Sequence, residues 1–371
     1  MEKSDFYNVA GEWDSEFEGE PGDCPKNLKW GLKELLSRKQ LVANMDIDGL
    51  ISSIHVQKVS PKFKVSGFTD SINQVYVPKA ASGYSDMAFL DIYTKHGFCV
   101  DNHMINIPGM EFAQVLNMNQ LRRRDMSGYS RKFPFGTCFI IMSLFDRTGI
   151  YDDIDPDLLI GQHNGFPVRL WHLYVRADDA LTTTAHKFTE NAIEWWNFML
   201  RISGRNGLMN KIYERLFPFV VSCTDSSSGR EWKISESERI KDCVNNFLEH
   251  SFMTDTPKHD GYKKLNPDCY AMYETMCDWF GVEPNIINPD ELELLGYARL
   301  ILDLKNTSAD SNAIFGEILS DPRVISHAFT QYKVLAFDVR LADVQDFRNS
   351  YDIKRVDYPI DRPFYDIPYT K

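Results

Sequence analysis

Three short apolar runs in the first third of the chain each end in a side chain that can bind a metal ion. The runs are residues 41–43, 87–90 and 98–100, and the residues that follow them are Asn44, Asp91 and Asp101. Continuous apolar runs of this length are typical of strands that are buried on both faces of a parallel sheet. The carboxyl ends of such strands meet at one edge, where open α/β sheets bind ligands. The pattern therefore predicts an α/β fold with a polar site at that edge.

The first run leads into a tight acidic turn. Asp46 and Asp48 stand one residue apart, Gly49 lets the backbone turn sharply, and residues 50–56 then have the composition of a helix. Paired carboxylates suit hard cations such as Mg²⁺ and Mn²⁺, which prefer oxygen ligands. An Asx turn or a helix N-cap explains one such tetrapeptide equally well. The acidic ends of the second and third runs favour the metal site.

Strand and helix patterns alternate around these runs, which favours a doubly wound, mainly parallel sheet. Helical spacing predicts helices over residues 27–39, 111–124, 136–145, 181–200, 236–251, 270–280 and 289–305. Alternation predicts strands over residues 63–68, 75–78 and 333–339. We expect an acidic arm over residues 1–26, an α/β domain over 27–203 and a second α+β domain over 204–371. Glycines at the start of the last region mark a candidate linker.

Composition restricts the class of partner and the compartment. The chain has 371 residues, 25% of them charged, and a formal net charge of −12, which argues against non-specific coating of nucleic acid. A nuclease is still compatible with this charge, because bound cations reverse it locally. The seven cysteines have no metal-type spacing, and no signal peptide or membrane-length apolar run is visible. We therefore expect a cytoplasmic protein that does not associate with a membrane.

The order of the acidic motifs resembles the DHH phosphoesterase superfamily. This superfamily includes RecJ-type single-strand exonucleases, nano-RNases, cyclic-dinucleotide phosphodiesterases and manganese-dependent pyrophosphatases. Residues 44–49 match its first motif, Asp91 its second and residues 101–103 its third. The fourth motif is an aspartate after a helix; Asp178 is the preferred match, and Asp179 and Asp146 are the alternatives. The resemblance covers residues 40–200 and implies a DHH-type α/β domain.

The resemblance also implies hydrolysis of a phosphodiester with the help of two Mn²⁺ or Mg²⁺ ions. The implied metal ligands are Asp46, Asp48, Asp91, Asn102 and Asp178. Asp101 would orient the third motif as a hydrogen-bond acceptor. His103 would polarise the phosphate or protonate the leaving oxygen. Asn44 and Asn102 stand where the family has other ligand types, so one of the two metal sites is expected to be weak.

Basic residues predict how the substrate phosphate would be held. The densest basic cluster after the third motif consists of Arg122, Arg123, Arg124 and Arg131. Arginine suits phosphate because its planar fork donates two parallel hydrogen bonds, although a solvated helix end explains the same charges. The expected substrate is a short single-stranded nucleic acid, a nucleotide or a cyclic dinucleotide. A catalytically inactive binding or scaffold protein and a hydrolase of pyrophosphate-like substrates are the alternatives.

Overall fold

The structure is a computed structural model, and it describes part of the chain. The described residues are 28–44, 47–69, 74–79, 83–110, 112, 114–121, 131–133, 135–160, 162–163, 166–167, 195, 199–200, 203, 207–222, 253–257, 263–265, 268–288, 291–306, 310–331 and 333–351. Six residues that the sequence analysis singled out lie outside these ranges: Asp46, Arg122, Arg123, Arg124, Asp178 and Asp179. The predicted acidic arm and the predicted helix over residues 236–251 lie outside them as well.

Nine strands in the described ranges form one mixed sheet. In chain order they are β1 (Gln40–Asn44), β2 (Lys64–Thr69), β3 (Gln74–Pro78), β4 (Met87–Leu90), β5 (Phe98–Val100), β6 (Val115–Leu116), β11 (Leu292–Asp303), β12 (Val324–Gln331) and β13 (Val334–Arg340). Across the sheet the order is β12-β13-β11-β3-β2-β1-β4-β5-β6. Short pairs of strands lie outside it, namely β7 (Gln162–His163) with β8 (Phe166–Pro167) and β9 (Met253–Pro257) with β10 (Lys263–Leu265).

Helices connect and cover the strands. They are α1 (Leu28–Ser37), α2 (Ile47–Val59), α3 (Met118–Leu121), α4 (Thr137–Asp146), α5 (Pro156–Ile160), α6 (Leu208–Ser222), α7 (Asp268–Trp279), α8 (Ser311–Ser320) and α9 (Val344–Tyr351). Within the parts of the chain that the structure describes, no helix combines the length and the apolar character that crossing a membrane requires.

The parallel part of the sheet contains β2, β1, β4, β5 and β6, in that spatial order. The chain leaves β1 through α2 and enters β2 on one side, whereas β4 lies on the other side of β1. The connections therefore diverge between β1 and β4. At such a switch point the loops separate and leave a crevice at the carboxyl ends of the strands.

Both faces of the parallel strands are buried. Successive residues of β1 show the alternation: Leu41 and Ala43 belong to the core shared with α1, α2, α4 and α7. Val42 belongs to a second core, which β11, β12, β13, α8 and α9 complete. Burial on both faces explains why these strands are apolar at nearly every position.

The α/β fold with parallel central strands is confirmed, and six of the predicted elements correspond to α1, α4, α7, β2, β3 and β13. The helix predicted over residues 289–305 is wrong, because Leu292–Asp303 is the long strand β11, which pairs antiparallel with β3 and β13. The helix predicted over residues 111–124 is also wrong in its first half, where Val115–Leu116 forms β6. Strands from before and after residue 204 therefore belong to one sheet.

Candidate metal centre

Four polar side chains form a row at the carboxyl ends of neighbouring parallel strands. Asn44 is the last residue of β1, and Asp91, Asp101 and Asn117 directly follow β4, β5 and β6. The backbone ladder continues through the row, since Asp91 N donates to β5 at 2.9 Å and Asp101 N donates to β6 at 3.1 Å. All four residues are buried. We call this set the polar row; its Asn44–Asp91 half lies at the switch point of the sheet.

Asp91, Asp101 and His103 form a group with the chemistry of a metal site, which we call the acidic cluster. Each residue can offer one ligand atom, and these atoms lie within 4.8 Å of one another. Among the described residues this is the one group of three or more potential ligands with such spacing. The residues Asp91 and Asp101 are 1% and 0% exposed. Two buried like charges repel each other in a medium of low dielectric constant, and a bound cation removes that cost.

Asp91 is held by hydrogen bonds from two elements. Its Oδ2 accepts from Nδ2 of Asn44 at 2.9 Å, and its Oδ1 accepts from Oγ1 of Thr137, the first residue of α4, at 2.9 Å. The backbone of Asp91 is left-handed, with φ of 61°. Among residues with a Cβ, aspartate and asparagine adopt this conformation most readily. The side chain is therefore fixed from both sides at the junction of β1, β4 and α4.

His103 is oriented by Asp101. Its Nδ1 lies 2.7 Å from Oδ1 of Asp101, and its backbone N donates to Oδ2 of the same carboxylate at 3.2 Å. A carboxylate accepts, so this contact favours the tautomer that carries its proton on Nδ1 and keeps a lone pair on Nε2. The His103 side chain is 24% exposed, whereas that of Asp101 is fully buried. The imidazole is therefore the accessible member of the pair, and Asp101 has the acceptor geometry that its predicted role requires.

The side chain of Asn102 forms a hydrogen bond through its amide nitrogen but not through its amide oxygen. Its Nδ2 donates to the backbone carbonyl of Phe135 at 2.7 Å, and the backbone carbonyl of Asn102 accepts from Nδ2 of Asn119 at 2.9 Å. Its Oδ1 is buried and has no hydrogen-bond partner among the described residues. A buried amide oxygen without a partner costs about 1–3 kcal/mol. Carboxylate and amide oxygens together with an imidazole nitrogen suit Mn²⁺ or Mg²⁺, so the residues present fit a divalent cation.

Asp48 has a structural contact at the same corner of the fold. Its two carboxylate oxygens accept from the backbone N of Thr137 at 2.8 Å and of Cys138 at 2.7 Å, so that it caps α4. A Cβ on Gly136 would lie 2.8 Å from Oδ2 of Asp48, which explains the glycine at this helix start. Thr137 joins this cap to Asp91, but Asp48 is not a member of the acidic cluster.

Asp146 lies at the other end of α4, away from the acidic cluster. The helix has ten residues, which span about 15 Å. The Asp146 carboxylate accepts from the backbone N of Leu208 at 2.8 Å and of Met209 at 2.9 Å, and so caps α6. Burial raises the pKa of Asp146 from 3.8 to about 6, although the two N–H donors act in the opposite direction. The structure therefore separates this alternative for the fourth motif from Asp91.

The raised pKa of Asp146 predicts a specific dependence of stability on pH. Between about pH 4 and 6 the folded state binds more protons at Asp146 than the unfolded state does, so this group lowers the free energy of unfolding as the pH rises. The shift corresponds to about 3 kcal/mol across that window. The Asp146→Asn variant has no carboxyl group to titrate, so this decrease in its free energy of unfolding should be absent. Urea denaturation of both proteins from pH 3 to 7 measures the difference, and a difference that is constant with pH would contradict the assignment.

Strand β12 supports the segment that follows His103. Phe329 N donates to the carbonyl of Met104 at 2.7 Å, and Nε2 of His327 lies 2.9 Å from the carbonyl of Ile105. Burial lowers the pKa of His327 to about 4, so its ring is neutral and donates this hydrogen bond. The C-terminal part of the chain thus helps to hold the loop that carries the acidic cluster.

The sequence singles out Asp91, Asp101 and His103 as candidate site residues, but it does not single out the residues that hold them in place. Asn117 and Asn119 are fully buried around the Asp101–His103 loop, and Thr137 donates to Asp91. A signal for Asn117 exists, since it follows an apolar pair just as Asp91 and Asp101 follow apolar runs. Arg131, the described member of the predicted phosphate cluster, is exposed.

No protein-family model matches the chain, and no curated protein matches it. What the fold and the site define is a class: an α/β protein with a candidate centre for a divalent cation at the carboxyl edge of the parallel part of a mixed sheet.

Proposed function

We propose that the chain is a divalent-metal-dependent phosphodiesterase of the DHH type. It would hydrolyse short single-stranded nucleic acids or cyclic dinucleotides. The observation that supports this most is the pair of buried carboxylates in the polar row, with His103 within 4.8 Å of both. Buried carboxylates on adjacent strands are costly unless a cation joins them. Their position at the carboxyl edge of the sheet is where substrates of α/β enzymes bind.

The cation would be held by Asp91, His103 and Asn102. When bound, it would supply positive charge to the phosphoryl oxygens and acidify a coordinated water. His103 would bind the cation through Nε2, which keeps its lone pair when the proton is on Nδ1. Asp101 would hold the ring in this tautomer and make it a stronger ligand, because its Oδ1 lies 2.7 Å from Nδ1. Asn44 and Thr137 hold Asp91 while its charge is shared with the ligand.

A second cation would recruit Asp46, Asp48 or Asp178, as the family resemblance implies. Asp48 can bind a cation and still accept its hydrogen bonds from the start of α4, because each carboxylate oxygen has a second lone pair. The Thr137 contact keeps this carboxylate next to Asp91. We therefore propose a strong site at the acidic cluster and a weaker one that fills with substrate.

The substrate phosphates would contact the basic segment that precedes α4. Arg131 is exposed and Lys132 half-buried, and the next residue, Phe133, donates its backbone N to Asn119 at 2.6 Å. Asn119 in turn holds Asn102, so this segment borders the site. Arginine and lysine here suit an anionic substrate. A cytoplasmic location fits the described cysteines, which are free thiols.

A panel of substrates tests the proposal. The protein is incubated with Mn²⁺ and single-stranded DNA, a dinucleotide, a cyclic dinucleotide or pyrophosphate. We expect phosphodiester cleavage that a chelator abolishes and that His103→Gln lowers at least about 10-fold, because the variant lacks a ligand of the cation. His96→Gln, which changes a half-buried histidine outside the acidic cluster, is the control and should retain activity. Cleavage that is insensitive to the chelator or to His103→Gln would contradict the proposal.

A metal-binding protein without catalysis is the second candidate. Asn44 and Asn102 favour it, because they occupy positions where the DHH motifs have charged or imidazole ligands. Inactivity across the whole panel together with retained Mn²⁺ binding would select this candidate. Cleavage of pyrophosphate alone would instead select a small-phosphate hydrolase.

A further inference from the structure

We propose that Asn117 is a positioning residue that orients His103 through Asp101. The inference rests on the proposed function, in which His103 binds the cation. Asn117 follows β6 and stands beside Asp101 at the end of the polar row. Its side chain contacts the carboxylate of Asp101 and the backbone carbonyl of His103.

Every polar atom of the Asn117 side chain is engaged. Its Nδ2 donates to Oδ2 of Asp101 at 3.3 Å and to the carbonyl of His103 at 2.8 Å. Its Oδ1 accepts from the backbone N of Asn119 at 2.9 Å and of Gln120 at 3.3 Å. One fully buried amide therefore holds the carboxylate, the histidine backbone and the start of α3 in a fixed relation.

The arrangement around Asp101 leaves its Oδ1 to the histidine ring. Oδ2 receives the Asn117 amide and the backbone N of His103, whereas Oδ1 faces Nδ1 of His103. Rotation of the carboxylate would break the contacts on Oδ2. Asn117 thus fixes the plane of Asp101, and Asp101 fixes the ring and its tautomer.

Asn44 orients the carboxylate of Asp91 by a hydrogen bond, as Asn117 orients that of Asp101. Each asparagine donates from Nδ2 to Oδ2 of the neighbouring carboxylate, at 2.9 Å for Asn44 and 3.3 Å for Asn117. The polar row therefore has amides outside and carboxylates inside. An amide orients a carboxylate without neutralising it, whereas lysine or arginine would compete with a cation. The row preserves two negative charges for a divalent ligand.

The Asn117→Ser variant should lose the positioning of Asp101 and His103 but keep the fold. Serine is a good helix N-cap, so it can still accept from the start of α3. Its side chain is too short to reach Asp101 and the His103 carbonyl as the amide does. We expect the variant to fold and to bind Mn²⁺ about 10- to 100-fold more weakly than the wild type by calorimetry. Gln120→Ser is the control, because it removes a buried amide of α3 that donates to the carbonyl of Phe112 and not to Asp101.

A nuclear magnetic resonance measurement on the metal-free protein makes the inference independent of metal binding. With labelled histidine, the Nδ1 proton of His103 should give a low-field signal, assigned by its absence in His103→Gln. We expect the signal to be lost or shifted upfield in Asn117→Ser and kept in Gln120→Ser. An unchanged signal in Asn117→Ser, or equal loss in both variants, would overturn the positioning role.

Two further results keep the tests distinct. If the serine variant does not fold, the wild type alone decides, through a nuclear Overhauser contact between the Asn117 amide protons and the Nδ1 proton of His103. The absence of that contact would overturn the inference. If the wild type shows the contact and the signal but binds no Mn²⁺, the proposed function fails while the positioning of His103 by Asn117 stands.

Discussion

Asp91→Asn is expected to abolish stabilisation by Mn²⁺ while leaving the fold intact. Asparagine matches aspartate in shape and adopts the left-handed backbone that residue 91 requires, at φ of 61°. It lacks the charge that pairs with a cation. A ligand at about 100 times its Kd stabilises a protein by about 2.7 kcal/mol. We expect this gain in the wild type and none in the variant, together with loss of hydrolysis.

Without metal, the Asp91→Asn variant should be at least as stable as the wild type. Asp91→Asn removes one of two adjacent buried carboxylates, so we expect its free energy of unfolding without metal to equal or exceed that of the wild type. Urea denaturation with and without Mn²⁺ measures both effects. Asp338→Asn, which changes a buried aspartate in β13 outside the acidic cluster, is the control and should keep the Mn²⁺ response. A variant Asp91→Asn that Mn²⁺ still stabilises would contradict the assignment of this ligand.

Gly49→Ala is expected to have the largest effect on stability. A Cβ on Gly49 would lie 2.4 Å from the backbone O and 2.6 Å from the backbone N of Asn44. Backbone atoms cannot move aside as a flexible side chain can, so α2 would have to shift away from β1. We expect a loss of about 3–5 kcal/mol, in the range of severe overpacking of a core. Because Asn44 donates to Asp91, the shift should also weaken Mn²⁺ binding.

Gly316→Ala is the matched control for this substitution. Gly316 lies within α8, and its nearest neighbours to a new Cβ are at 3.6 Å and 3.8 Å, an ordinary van der Waals separation. Alanine in a helix interior is more favourable than glycine by about 0.5–1 kcal/mol. Thermal or urea denaturation should therefore show Gly316→Ala to be slightly stabilised. Equal stability of Gly49→Ala and the wild type would contradict the close approach of α2 to β1.

The acidic cluster could be predicted from the sequence because its strands are short, wholly apolar and followed directly by ligands. β4 and β5 are buried on both faces, so almost every position is apolar and the first polar residue marks the end of the strand. In a parallel sheet those ends must lie side by side. The sequence therefore predicts that Asp91 and Asp101 lie at the same edge of the sheet.

Other elements were not predictable in this way. The strand β11 mixes apolar and polar residues at spacings that also suit a helix, and its pairing with β3 and β13 decides its conformation. β6 has only two residues, which are too few to show any periodicity. The sequence therefore predicts a helix around Asn117 and not the end of a strand. The capping contacts of Asp48 depend on α4, which lies far away in the sequence. Local patterns do not contain such long-range partners.

Crystals soaked in Mn²⁺ and measured at the manganese absorption edge test the central claim most directly. The expected result is an anomalous peak bonded to Asp91 and His103, at the carboxyl edge of β4 and β5. A map with no peak at these side chains, or with manganese bound only elsewhere on the surface, would contradict the assignment of this edge as a metal centre.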